Sequence, residues 1–122
     1  MLLLGDGGVA ETSRRILARR GWPCLQLSRR APQPAERVQA FGPAGIIQAT
    51  KLGMEPGDPL PFPEALAAAA PTVRWGVEWI YKEDTAFAAW IGERPATLVP
   101  GAALFAAQAA AQSAAFIREC GG

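Results

Sequence analysis

The chain has 122 residues, half of them apolar, which suffices for one small domain with a core of modest size. Lysine and arginine (12) nearly balance aspartate and glutamate (11), so no net field draws the chain to nucleic acid or to an anionic membrane. With no histidine and only Cys24 and Cys120 as thiols, neither a His/Cys metal site nor a serine-histidine triad can be built. The two cysteines are far apart and read as a core thiol and a frayed-end thiol rather than a disulfide, which fits a reducing compartment. No apolar run approaches the length of a membrane span, and the opening one is too short and lacks the basic start of a signal peptide. The expectation is a soluble cytoplasmic protein with no nucleic-acid or membrane partner.

In chain order, residues 1–30 read as strand, glycine turn, helix, strand and two arginines. The apolar run 1–4 enters Gly5-Asp6-Gly7-Gly8-Val9-Ala10, a G-x-G-x-x-A turn that opens a helix, the context in which such a motif is credible. Gly5 lets the chain reverse, Gly7 lets backbone amides approach a pyrophosphate, and small Ala10 lets helix and strand pack closely. The phosphate would sit on the helix N-terminus, where unpaired N–H groups and the dipole favour an anion. At the end of the second strand, where an NAD site places an acid for the ribose hydroxyl, stand Ser28, Arg29 and Arg30. That choice favours a 2'-phosphate, hence NADP. Asp6 opposes it, because a carboxylate beside a pyrophosphate lowers the affinity, although the same side chain suits the positive end of a helix.

The first helix is expected over residues 9–20, with Val9, Ile16 and Leu17 as its buried stripe beside Thr12 and Ser13. Arg14, Arg15, Arg19 and Arg20 take the wet side, Glu11 pairs with Arg15, and Gly21 stops the helix. Seven arginines fall between Arg14 and Arg37, but no aromatic platform accompanies them, and they read as a solvated face. Residues 22–28 form the second strand, prolines 32 and 34 bar a helix, and residues 35–41 suit a short one. The apolar segment 44–49 is a strand expected to end in a second cofactor-facing loop, Thr50-Lys51-Leu52-Gly53-Met54, with Thr50 as a cofactor-binding residue. A short helix follows over 63–70. Residues 72–81 then alternate, Val73, Trp75, Val77, Trp79 and Tyr81 facing one way and Arg74 and Glu78 the other, which suggests that one face is partly covered. Asp84 is a plausible cap for a helix over 85–91; 95–99 is a last short strand and 101–120 a long alanine-rich helix.

Five motifs in this order resemble the shikimate dehydrogenase family. GIIQATKLGMEPGDPLPFPEAL is similar to the segment in which a strand ends in N-A-T-x-x-G-M before an acidic, proline-bearing stretch. Glu78-Trp79-Ile80-Tyr81 stands where the family has D-x-x-Y, Thr85-Ala86-Phe87 where it has T-P-F or T-P-L, and GAALFAAQ where it has G-x-x-M-L-x-x-Q. GDGGVA resembles the family's G-A-G-G-A-A/S, and Ser28-Arg29-Arg30 its N-R-T. The resemblance covers only the family's C-terminal, cofactor-binding domain. It implies that residues 5–9 hold the pyrophosphate and that Arg29 meets the 2'-phosphate, with Thr50 in the loop of the N-A-T motif. It also implies that Trp79 and Gly101 lie by the nicotinamide and that Tyr81 and Gln108 touch a hydroxy-acid substrate. The family's catalytic lysine and aspartate belong to an N-terminal domain, so the sequence is expected to be inactive alone and to need a separate substrate-binding domain.

The departures are specific. Gln48 replaces the motif's asparagine, Glu78 its aspartate, Arg30 its threonine and Leu104 its methionine, and Gln33 falls where many members have a second phosphate-binding arginine. Too little chain separates Arg29 from Ala49 for a helix, a strand and another helix. The expected fold is therefore α/β, a Rossmann-like three-layer single domain with a short, mostly parallel sheet lacking one crossover unit. Numbered as in the full fold, its strand order is 2-1-4-5-6, with a thin adenine pocket. A different class of function stays open: a non-catalytic nucleotide-sensing or protein-interaction module, dimeric or partnered through the Trp75 to Tyr81 face.

Overall fold

Three consecutive leucines, each with no exposed surface, form the central strand β1 (Leu2–Leu4). A strand buried on both faces reads as an unbroken apolar run because neither side of the pleat meets water. The computed structural model describes residues 1–79 and 85–100. Within them α1 (Gly8–Arg19), β2 (Leu25–Leu27), α2 (Ala35–Phe41), β3 (Gly45–Gln48), α3 (Pro63–Ala69), β4 (Trp75–Glu78), α4 (Ala86–Gly92) and β5 (Thr97–Pro100) follow β1. All five strands are parallel, in the order β2-β1-β3-β4-β5. That is the expected Rossmann-like α/β fold and strand order. The segment between Leu27 and Gly45 holds α2 and no further strand, which leaves β2 at the sheet edge.

Two apolar clusters make the three layers. On one face Leu2, Leu4, Leu27 and Ile46 meet Val38 of α2, Leu66 of α3, and Phe87 and Ile91 of α4. On the other, Leu3, Ile47 and Val77 meet Ala10 and Leu17 of α1, with Trp75 and Trp79 packed at the margin. Gly76 is where α4 comes closest: a Cβ there would lie 2.7 Å from Ile91 Cδ1.

Several expectations are corrected in detail. α1 starts at Gly8, so Val9 sits in the first turn above the sheet edge, 40% exposed, and Ala10 and Ser13 take its place in the buried stripe. β2 begins at Leu25, where the ladder starts with the Leu25 N–H donating to Met1 O. Pro23 has no N–H to extend it, so Trp22 and Cys24 are exposed and Cys24 is not a core thiol. The N–H groups of Thr72 and Val73 still bond to Ala69 O, so β4 begins only at Trp75 and Val73 packs in the opposite cluster from Trp75 and Val77. Glu78 is buried rather than on an open polar face, because α4 covers that face. The cap of α4 is Thr85, whose hydroxyl accepts from the Ala88 N–H, and Asp84 lies outside the described residues. β5 starts at Thr97, whose N–H donates to Arg74 O.

Candidate functional site

The C-terminal ends of β1, β2, β3 and β4 lie along one edge of the sheet, the place where open parallel sheets bind ligands. At its centre is the turn from β1 into α1. The Gly5 N–H donates to Leu27 O at 2.8 Å, and Gln26 Nε2 donates to Gly5 O at 2.9 Å, so β2 grips the turn from one side. β3 closes the other side: with φ +119°, Gly5 stands so near the chain that an added Cβ would fall 2.8 Å from Ala49 O. Gly5 therefore does more than reverse the chain; it lets two strand ends abut.

Gly7 and Gly8 differ from Gly5. A Cβ on either would meet nothing within 4 Å, so the backbone there borders open space. Gly7 is the cap residue of α1 in extended conformation and has no side chain to satisfy the first-turn N–H groups. An uncapped helix start facing open space suits an anionic group. Beside it, β2 ends in a tight turn: the Ser28 N–H donates to Ala31 O and the Ala31 N–H donates to Ser28 Oγ at 3.0 Å. This leaves Ser28 buried and engaged within the turn, with Arg29 and Arg30 exposed at its tip. Arg30 Nε lies 3.9 Å from Asp6 Oδ2 across the gap. Arg14 and Arg15 belong elsewhere. Both hydrogen-bond Glu11, whose carboxyl is held down at about 2, first by the Arg14 hydrogen bond.

On the β3 side, Thr50 is adjacent to Gly5 but inward-looking. Its hydroxyl and N–H both donate to Gln48 Oε1, at 2.8 and 2.9 Å, and its Oγ1 accepts from the Leu52 N–H. Gln48, wholly buried, also donates from Nε2 to Leu52 O, so the substituted residue of the motif folds the loop back on itself. Farther along, the Trp79 indole N–H donates to Ser13 Oγ at 2.9 Å, and Ser13 Oγ donates to Val9 O. Trp79 is thus tied to the first turns of α1.

Glu78 sits beside Gln48 in register, on the α3 and α4 side. Its Oε1 accepts from the Thr85 hydroxyl at 2.6 Å, while Oε2, also buried, has no partner among the described residues. Burial pushes its carboxyl above the ordinary range, and the Thr85 hydrogen bond only partly offsets this. An open cleft of about 320 Å³ lies between the 53–58 loop and the start of α4, lined by Gly53, Glu55, Asp58, Thr85 and Ala86 among others. It borders the same edge but not the glycine turn, and its two carboxylates make it the less suitable place for a phosphate.

The structure thus brings Gly5, Asp6, Gly7, Gly8, Val9, Ser28, Arg29, Arg30, Thr50 and Trp79 to one edge. Tyr81, Gly101 and Gln108 lie outside the described residues, as do Leu104 and Cys120. Sequence reasoning did not give Gln26 or Ser13 their bonding roles. The signal for Gln26 was a lone polar residue between two leucines in an apolar strand. Among the described residues no helix is long and apolar enough to cross a membrane. Compared with known protein families and with curated proteins, the chain matches none of them.

Proposed function

We propose that this chain binds NADP(H) at the glycine turn and forms the cofactor-binding part of a cytoplasmic oxidoreductase of the shikimate dehydrogenase type, which interconverts shikimate and 3-dehydroshikimate. The observation that carries this reading is the pairing of two side-chain-free positions, Gly7 and Gly8, with the exposed arginines of the neighbouring strand-end turn. The residues fit the cofactor. Gly7, Gly8 and Val9 offer backbone N–H groups to the pyrophosphate, and Arg29 and Arg30 offer guanidinium groups to the 2'-phosphate. Trp79, pinned to Ser13, provides an aromatic wall on the β4 side. The bound nicotinamide supplies or accepts the hydride. Holding it in place organises one of the two reactants, and the hydroxy acid needs a separate substrate-binding domain.

The test is a calorimetric titration with NADPH, with NADH alongside and Arg29→Ala as control. The expected result is saturable NADPH binding that the variant loses; absence of binding by either nucleotide refutes the reading. Adding a substrate-binding domain of the family in trans should then give NADPH-dependent turnover of dehydroshikimate.

A second reading, a nucleotide-sensing or protein-interaction module, is favoured by half-buried Trp75 at the margin of its cluster and by the acid in the glycine turn. α1 covers Val77, so of the expected Trp75 to Tyr81 face this reading predicts a stable dimer or partner complex at the half-buried Trp75 margin, and a monodisperse monomer with NADPH affinity counts against it.

A further inference from the structure

The residue after Gly5 is an acid in a place where the resting structure does not need one. The glycine turn is shaped by Gly5 and Gln26, and the adjoining turn by Ser28 and Ala31; Asp6 supplies no cap to α1. Its described partner is Arg30, 3.9 Å away, with the two side chains 46% and 91% exposed. A pair so open to solvent contributes little to the fold. Its position still matters, because the carboxylate belongs to the residue before the uncapped start of α1 and lies 3.9 Å from a guanidinium of the strand-end turn. It is the acid nearest to both positive features that a phosphorylated dinucleotide would use, the helix start and Arg30.

We infer that Asp6 is a specificity-determining residue, an internal competitor for Arg30 that the 2'-phosphate of an incoming dinucleotide must displace. The inference rests on the reading of this turn as a dinucleotide site. A dinucleotide without the 2'-phosphate leaves Arg30 on Asp6, so the carboxylate beside the pyrophosphate stays partly neutralised. One with the 2'-phosphate draws Arg30 away, since a phosphate offers a charge-assisted bidentate partner. Asp6 is then left uncompensated near the pyrophosphate. The acid therefore taxes the phosphorylated cofactor more than the plain one, and the chain's selectivity is lower than its arginines alone would give.

The experiment is a double-mutant cycle on Asp6→Asn and Arg30→Ala, titrated calorimetrically with NADPH and NADH, with thermal melts confirming that each variant is folded. Removing a charge several ångströms from the ligand in partly screened surroundings should tighten NADPH roughly tenfold and NADH about threefold. With Arg30→Ala in place, D6N should tighten both nucleotides equally. If D6N improves both equally while Arg30 is present, Asp6 acts by plain repulsion and the exchange is wrong, although the nucleotide site stands. If neither wild type nor D6N binds either nucleotide, the site reading fails and takes the inference with it.

Discussion

Gly5 and Gly7 are two residues apart in one motif, yet alanine at each should act through different physics. At Gly5, φ +119° lies where only glycine is at ease, a cost of about 1–3 kcal/mol for alanine. The new Cβ would also meet Ala49 O at 2.8 Å and Ala49 C at 3.0 Å. These are backbone atoms of the β3 end, which cannot turn aside as a side chain can, so overpacking adds about 1–3 kcal/mol. Together, Gly5→Ala should lose about 2–6 kcal/mol, a large share of the roughly 5–15 kcal/mol that holds a domain folded. At about 4 °C per kcal/mol for a chain of this size, Tm should fall by about 8–24 °C. At Gly7, φ is −80° and nothing lies within 4 Å of an added Cβ. The loss of a good cap residue and the stiffer unfolded chain oppose each other, so Gly7→Ala should stay within about 0.5 kcal/mol of wild type. Its methyl group would instead stand where the proposed pyrophosphate approaches. Urea denaturation followed by tryptophan fluorescence, with an NADPH titration of each folded variant, reads both effects. A Gly5→Ala protein as stable as wild type would refute the abutment of β1 and β3. A stable Gly7→Ala protein with unchanged NADPH affinity would refute the approach of a phosphate at that position.

Two further outcomes concern buried polar side chains. Glu78 binds its proton more tightly in the fold than in the unfolded chain, so the stability it contributes is full below the unfolded carboxyl pKa and is lost as pH rises through the raised folded value. Glu78→Gln should therefore flatten the fall in urea midpoint between about pH 4 and pH 8, and a wild-type-to-variant difference that is constant over that range refutes the buried acid. Gln48→Leu removes the acceptor of two Thr50 donors and the donor to Leu52 O, which should cost about 1–3 kcal/mol and expose the Thr50 amide to hydrogen exchange. Unchanged protection of that amide would mean that the loop is ordered by something other than Gln48.

The sheet was legible in the sequence because its strands are runs such as LLL and GIIQ, buried on both faces and bounded by glycine or proline. The shortened connection after Arg29 fixed the strand order, since no strand fits between Leu27 and Gly45 beside α2. Strand ends were less legible. Trp22 and Thr72 look like strand residues by type, but whether the chain pairs there depends on Pro23 and on the carbonyl of Ala69, which a local pattern does not weigh. Glu78 misled for a related reason: a charge in an alternating run normally marks the wet face, and only α4 folding across it shows otherwise. At the site, the glycines and arginines were visible because their residue types are uncommon in such a context. The hydrogen bonds from Gln26 to Gly5 and from Trp79 to Ser13, and the 3.9 Å approach of Arg30 to Asp6, join segments far apart in sequence, and no spacing rule encodes them.

Losing a crossover unit beyond β2 does not remove the support of the glycine turn, because that support comes from the strands flanking β1: Gln26 and Leu27 on one side, Ala49 and Thr50 on the other. What it removes is the strand that would lie beyond β2 and, in the proposed nucleotide site, wall the adenine. Affinity should then come chiefly from phosphates meeting backbone N–H groups and from exposed Arg29 and Arg30, and little from stacking of the base. Such contacts are screened. The Debye length shrinks from about 10 Å at 0.1 M salt to about 3 Å at 1 M, so NADPH binding should weaken steeply across that range. Replacing the adenine with a smaller base should change it little. Binding that ignores salt but collapses when the adenine is altered would mean that the base, not the phosphates, holds the nucleotide, and that a wall for it exists beside β2 after all.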